Sequence, residues 1–187
     1  MNSDSPEMRG KLLVATPSLS DPNFVRSVVF ILEQNDEGAL GLILNRPSDV
    51  AVDDPLAGWS DFAARPKRVF FGGPVEREAV ICLARVGSAI DSNAFTAVLG
   101  NLGTLDVSRI PAETDADVES IRVFAGYAGW GSGQLAEEIA AGGWFIVDSQ
   151  PGDLFADNPD RLWRDVLRRQ PGELAFVATF PENPALN

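Results

Sequence analysis

The sequence predicts an α+β fold, a single compact domain over residues 10–180 built on a large mixed, hairpin-rich β-sheet with a few short helices. Short apolar runs rich in β-branched and aromatic side chains recur along it, as in Val28 to Leu32 and Ala39 to Leu44. Polar segments of hairpin length, carrying Asn, Asp and Gly, separate several of these runs. Helical periodicity is confined to short stretches, so no regular strand–helix alternation develops. With 187 residues, 45% of them hydrophobic and 22% charged, the chain has material for a core without disulfide or metal staples.

Residues 1–9 read as a loose tail. Lys11 to Thr16 is an apolar strand closed by Pro17, and turn residues fill Ser18 to Phe24. Val25 to Leu32 reads as a strand covered on both faces, Glu33 to Gly38 as a polar turn, and Ala39 to Leu44 as the returning arm, stopped by Asn45-Arg46-Pro47. Pro55 to Ala64 predicts a short helix. Val69 to Phe71, the turn Gly72-Gly73-Pro74 and Ala79 to Val86 predict another strand pair. Between Gly87 and Val107 the pattern is weak, with Leu102 and Leu105 hinting at a strand, and Pro111 to Glu119 reads as helical. Ile121 to Tyr127 is a strand that runs into a glycine-rich loop, Gly126 to Gly133, and then a helix, Gln134 to Ala141, stopped by Gly142. Trp144 to Val147 is a strand. Asn158 and Pro159 open the last helix, whose stripe is Leu162, Trp163, Val166 and Leu167 and whose end is Pro171-Gly172. Leu174 to Thr179 predicts a terminal strand, and residues 181–187 a loose end.

The composition closes several kinds of chemistry. The chain has no histidine, one cysteine (Cys82) and one tyrosine (Tyr127). Histidine triads, CxxC redox sites, Cys/His zinc sites and intrachain disulfides are therefore excluded. No metal-ligating or cofactor-binding motif stands out: Gly129-x-Gly131 lacks its third glycine, position 134 being Gln134, and neither Lys11 nor Lys67 follows a Walker glycine loop. A net charge of −12 argues against direct contact with nucleic acid or an anionic membrane. No apolar run is long enough to span a bilayer, and the first residues lack a signal-peptide pattern, which predicts a cytoplasmic protein. Cys82, between Ile81 and Leu83, reads as a buried, inert thiol.

Gly10-Lys-Leu-Leu-Val-Ala-Thr-Pro17, Asp21-Pro22-x-Phe24-x-Arg26-Ser27-Val28, Gly38-Ala-Leu-Gly-Leu-Ile-Leu-Asn-Arg-Pro47, Gly72-Gly73-Pro74-Val75 and Gly126-Tyr-Ala-Gly-Trp-Gly-Ser-Gly-Gln-Leu135 occur in that order, with Trp144, Phe155 and Trp163 following. In these motifs the chain resembles the AlgH/YqgE family of bacterial proteins, a group of largely unassigned function. The resemblance implies a compact α+β fold on a large mixed sheet and a bacterial cytoplasmic location. The family's name comes from a proposed regulator of alginate production, and the charge of this chain argues against reading DNA directly. Two positions depart from the family pattern: Gln34 stands where relatives commonly carry histidine, and Ala136 where they commonly carry glutamate, while Glu138 is retained.

Arginines, hydroxyls, carboxylates and backbone amides are left to carry function. The leading expectation is a small-ligand-binding or regulatory interaction domain whose partner is a small anionic ligand or another protein. Its candidate site takes Asp21 and Arg26 from one motif, Asn45 and Arg46 from the next, and Gly131, Gly133 and Gln134 from the glycine-rich segment. Arg26 and Arg46 would hold the anion, with Asn45 and Gln134 orienting it. The amides ahead of the helix at Gln134 would add a partial positive charge. Each motif also has a plainer structural explanation, as a capped turn or a tight crossover around Trp130. A histidine-free hydrolase using carboxylates or a hard metal ion is the alternative. A protein-interaction module would show an exposed apolar patch including Trp59 or Trp130.

Overall fold

The structure is a computed structural model and describes residues 7–87, 93–109 and 117–181. Its strands are β1 (Lys11–Ala15), β2 (Val28–Asn35), β3 (Gly38–Ile43), β4 (Pro47–Ala51), β5 (Arg68–Phe71), β6 (Val75–Val86), β7 (Phe95–Leu99), β8 (Leu102–Leu105), β9 (Val118–Gly131) and β10 (Trp144–Asp148). Its helices are α1 (Gln134–Ala140), α2 (Pro151–Leu154), α3 (Pro159–Arg168) and α4 (Leu174–Val177).

The 14-residue strand β9 joins two half-sheets. Its C-terminal end pairs with β3, Gly131 opposite Gly38 and Ala128 opposite Gly41. Its earlier part pairs antiparallel with β6 and, over Val123 to Ala125, parallel with β5. The strand order is β10-β1-β2-β3-β9-β6-β8-β7, with β4 attached through β5. The expected α+β class stands, and the β5–β9 pair supplies the sheet's mixed character. The sheet curls until its ends approach: the Arg9 guanidinium donates to the Ala97 carbonyl, and the side chain of Leu99 lies against Gly10.

Strand alternation sorts the apolar side chains into three cores. Leu12, Val14, Val28, Phe30, Leu42 and Phe124 face the stripe of α3, namely Leu162, Trp163, Val166 and Leu167. Leu13, Ala15, Val29, Ile31 and Ile43 face the opposite way, under Trp130, Leu135 and Trp144. The second half-sheet buries Val69, Cys82, Ile121 and Val123 under Val52, Trp59 and Ala63. Val28 to Leu32 is buried on both faces, as its unbroken apolar run predicts.

Several boundaries differ from expectation. Pro55 to Ala64 forms successive turns and no helix, closed by the bonds Trp59 N–H to Leu56 O, Phe62 N–H to Trp59 O and Ala63 N–H to Ser60 O. Gly58 adopts a left-handed φ of 83° within this segment, which breaks an α ladder while Trp59 turns into the core. Leu174–Val177 is the helix α4, not a strand, because the segment packs on α3 and pairs with no sheet edge. Gly126 to Gly131 continues β9, so the glycine-rich loop shrinks to Ser132 and Gly133. The helix expected from Pro111 falls mostly on residues 110–116, outside the described ones, and Val118 and Glu119 already belong to β9. Residues 1–6 and 182–187 are likewise outside them. Met8, expected in a loose tail, is 3% exposed and donates its N–H to Gln34 Oε1 at 3.0 Å.

Candidate functional site

The seven expected site residues fall into two groups. Asp21, Arg26, Asn45 and Arg46 gather where β2 begins and β3 ends. Gly131, Gly133 and Gln134 lie near the β2–β3 hairpin, since Gly131 pairs with Gly38. Asn45 is seven residues beyond that pair. At roughly 3.3 Å per residue this is about 20 Å along the strand, too far for one small ligand.

Within the first group, three residues are committed to the fold. Asp21 Oδ1 accepts from Asn23 N–H at 2.8 Å, and the Asp21 carbonyl accepts from Phe24 and Val25, a capped turn. Asn45, 6% exposed, accepts from Val28 N–H at 3.0 Å and donates to Arg26 O at 2.9 Å. Arg26 lies 4.4 Å from the Trp163 ring centroid and donates to Phe180 O at 2.8 Å and to Pro181 O, tying the C-terminal segment to the sheet.

The second group is likewise engaged. Gly131 N–H donates to Gln134 Oε1 at 3.0 Å, and Gln134 Nε2 donates to Glu138 Oε1 at 3.1 Å. Glu138 Oε2 accepts from both indoles, Trp130 at 3.0 Å and Trp144 at 2.8 Å. Helix α1 has only seven residues, and Gly133 caps it without a side-chain bond. The adjoining cavity of about 360 Å³ is lined by Glu7 and Asp36 as well as Ser132 and Gly133, a poor setting for an anion. Gln34 and Ala136, the two departures from the family pattern, both line this cavity.

A different cleft, of about 220 Å³, forms where three motif segments meet. Its walls include Pro22, Ile43, Arg46, Phe71, Pro74 and Arg77. Backbone contact brings these segments together: a Cβ on Gly72 would lie 2.1 Å from Gly126 O, and one on Gly73 would lie 2.2 Å from the Tyr127 carbonyl. Gly126 has φ 71° and no more room, its Cβ position being 2.6 Å from Gly73 O. The Gly72-Gly73 turn therefore crosses directly over β9.

Arg46 is half-buried, and burial lowers its pKa, an effect that Asp160 opposes. It donates to Val25 O and, at 3.3 Å, to Asn45 O. Arg77 is exposed and makes no hydrogen bond or ion pair with the described residues. No carboxylate lines the cleft. Among the described residues, Arg26 (φ 53°) and Glu76 (φ 43°) are the non-glycine positions with left-handed φ. Arg26 follows Val25, whose carbonyl holds Arg46, and Glu76 precedes Arg77, so backbone strain sits on both sides of the cleft.

Sequence reasoning picked out Arg46 but missed Arg77 and Phe71, which stand just outside the Gly72-Gly73-Pro74-Val75 motif. It also missed Arg122, which alternates along β9 onto a buried face and is 2% exposed. Arg122 stacks on Phe70 at 4.4 Å and donates to Arg65 O at 2.6 Å and Ala156 O at 3.0 Å. Burial pushes it down to about 10, against the field of Asp157, and its Nε and Nη1 find no partner among the described residues. Cys82 is 3% exposed and its thiol is pushed up to about 12 by burial, which makes it inert as a nucleophile. Trp59 and Trp130, each 5% exposed, form no surface patch. Among the described residues, no three Asp, Glu or Cys side chains converge as a metal site, and no helix is long and apolar enough to cross a membrane.

A family model described as AlgH-like matches residues 12–175. The chain belongs to the AlgH-like family. An uncharacterised relative from Streptomyces avermitilis, called UPF0301 protein, is 48% identical over 184 residues, covering 96% of this chain and 95% of its own. One from Mycobacterium tuberculosis, of the same name, is 44% identical over 175 residues, covering 92% and 87%. Among solved structures, a crystallised protein of Corynebacterium diphtheriae superposes with TM-score 0.86 at 33% identity, covering 96% of this chain and 95% of that one. The AlgH protein of Pseudomonas aeruginosa, solved in solution, gives 0.71 at 28% identity, covering 98% and 100%. Of the AlgH-like motifs in this chain, those at 21–28, 38–47 and 72–75 thus all reach the cleft, while the one at 126–135 supplies the backbone beneath it and ends at the other cavity.

Proposed function

We propose that this AlgH-like chain is a small-ligand-binding domain of the bacterial cytoplasm, and that its site is the cleft between Arg46 and Arg77. The observation that carries this is the cleft's charge: two guanidinium groups and no carboxylate line it, in a chain whose net charge is −12. Arg77 has a whole fork of donors to offer, and Arg46 is held in place by backbone carbonyls. The lack of lining carboxylates favours binding over carboxylate-driven hydrolysis. Of the residues expected from the sequence, Arg46 carries the anion in this reading. Asp21, Arg26 and Asn45 shape the loops around it.

Thermal melting of the full chain against a panel of small anions tests the proposal. A ligand of the native state at about 100 times its Kd adds about 2.7 kcal/mol. Arg77→Ala should remove the shift while leaving the unliganded melting point unchanged, since the Arg77 side chain is exposed and makes no hydrogen bond or ion pair with the described residues. A panel without any shift overturns the proposal. So does a shift that survives Arg77→Ala and is lost in Ser132→Ala, which places the anion at the glycine-rich segment.

A further inference from the structure

The size and walls of the cleft narrow the ligand class, on the reading above that it holds a small anion. We infer that it takes a compact carboxylate carried on a flat apolar body, an arylcarboxylate of one ring. The cleft, about 220 Å³, lies below the ~300–1,000 Å³ of drug-sized sites, which suits a ring with a carboxylate better than a nucleoside phosphate.

The walls choose between anions of that size. Apart from the two guanidinium groups and Asn23, the walls are Pro22, Ile43, Phe71, Gly73 and Pro74, mainly apolar surface. The several hydroxyls of a sugar phosphate would lose water there with only Asn23 and the arginines as partners. A planar ring instead packs against the prolines and Phe71, which is 51% exposed and has no aromatic neighbour of its own among the ring pairs of the described residues. The donors point the same way. Arg46 spends two of its five N–H donors on backbone carbonyls, while the Arg77 side chain spends none on the described residues and so offers a whole planar fork. One fork satisfies the two oxygens of a carboxylate, whereas a phosphate dianion brings a third oxygen and a second charge into the same apolar setting.

Isothermal titration calorimetry on the full chain, with benzoate, trans-cinnamate, benzyl alcohol, inorganic phosphate and ribose 5-phosphate, tests this. At least one arylcarboxylate is expected to bind, with benzyl alcohol at least about tenfold weaker, the factor one charge-assisted bond supplies. Arg77→Gln should weaken the arylcarboxylate by a similar factor, and Phe71→Ala should weaken it severalfold. Both residues are exposed, so the unliganded melting point should hold for each. If phosphate or ribose 5-phosphate binds through Arg77 and no arylcarboxylate does, the ligand class is overturned while the anion site stands. Benzyl alcohol binding as tightly as benzoate also overturns it, and binding by none of the probes removes the class and the site together.

Discussion

Cys82 illustrates how position alone sets a residue's chemistry. It lies on β6 with its side chain in the core of the second half-sheet, where burial raises its pKa from 9.0 to about 12. In the unfolded chain the thiol ionises near 9.0, so between there and about 12 the unfolded state holds fewer protons than the native one. Stability from this group is complete below pH 9 and falls with rising pH, by up to about 1.4 kcal/mol per unit. Cys82→Ala removes that slope. Urea unfolding should show the gap between wild type and variant narrowing by about 1 kcal/mol from pH 9 to pH 10, and a gap independent of pH would refute this assignment. The motif glycines act by absence instead: Gly72 and Gly126 are where two backbones touch, and any Cβ there would separate the loops that build the cleft.

Among the elements, α1 is the clearest case of a short helix held by tertiary bonds. Seven residues are too few to be stable alone. Leu135 anchors the helix in the core, and Glu138 accepts from the indoles of Trp130 on β9 and Trp144 on β10. Phe24 packs against both rings, at 6.0 and 5.6 Å between centroids. Glu138→Ala leaves two buried indole donors without partners and should cost about 3 kcal/mol in urea unfolding followed by tryptophan fluorescence. Glu138→Gln keeps one acceptor and should cost less. A loss below about 1 kcal/mol for the alanine variant would show that the clamp contributes little. The same logic explains α3, whose stripe of Leu162, Trp163, Val166 and Leu167 is buried against the sheet, with Trp163 Nε1 donating to Ala15 O at 2.9 Å.

For the whole molecule, the charge of −12 is a uniform cost. Like charges on a compact body repel, and salt screens them. Raising sodium chloride from about 20 mM to about 500 mM should stabilise the fold by about 1 kcal/mol, or about 3 °C in Tm. Arg77→Ala should show the same gain, because screening belongs to the net charge and not to the cleft. A gain lost in that variant would mean that chloride itself occupies the site. The assembly of the cores also belongs to this scale: the apolar faces of β1 and β2 require cover on both sides, and α1 and α3 provide it on opposite faces of the sheet.

Much of the fold was legible. The unbroken, β-branched run Val28 to Leu32 reads as a strand buried on both faces, and Pro159 marks the first turn of α3, although Asn158 before it makes no side-chain cap bond. The segments at Pro55 and Leu174 were not, because turns and strands of that length have no periodicity of their own and take the shape their neighbours leave. The site was half legible. Arg46 announces itself beside a motif asparagine, but nothing local shows that Asn45 points inward to hold β2, or that Gln134 turns back on Gly131. The sequence by itself determined the α+β class, the exclusion of imidazole and disulfide chemistry, and the strands that need two covers. Only the tertiary structure decided which arginines face a common space. That depends on the close crossing of Gly72 and Gly73 over Gly126, a contact between residues more than fifty positions apart.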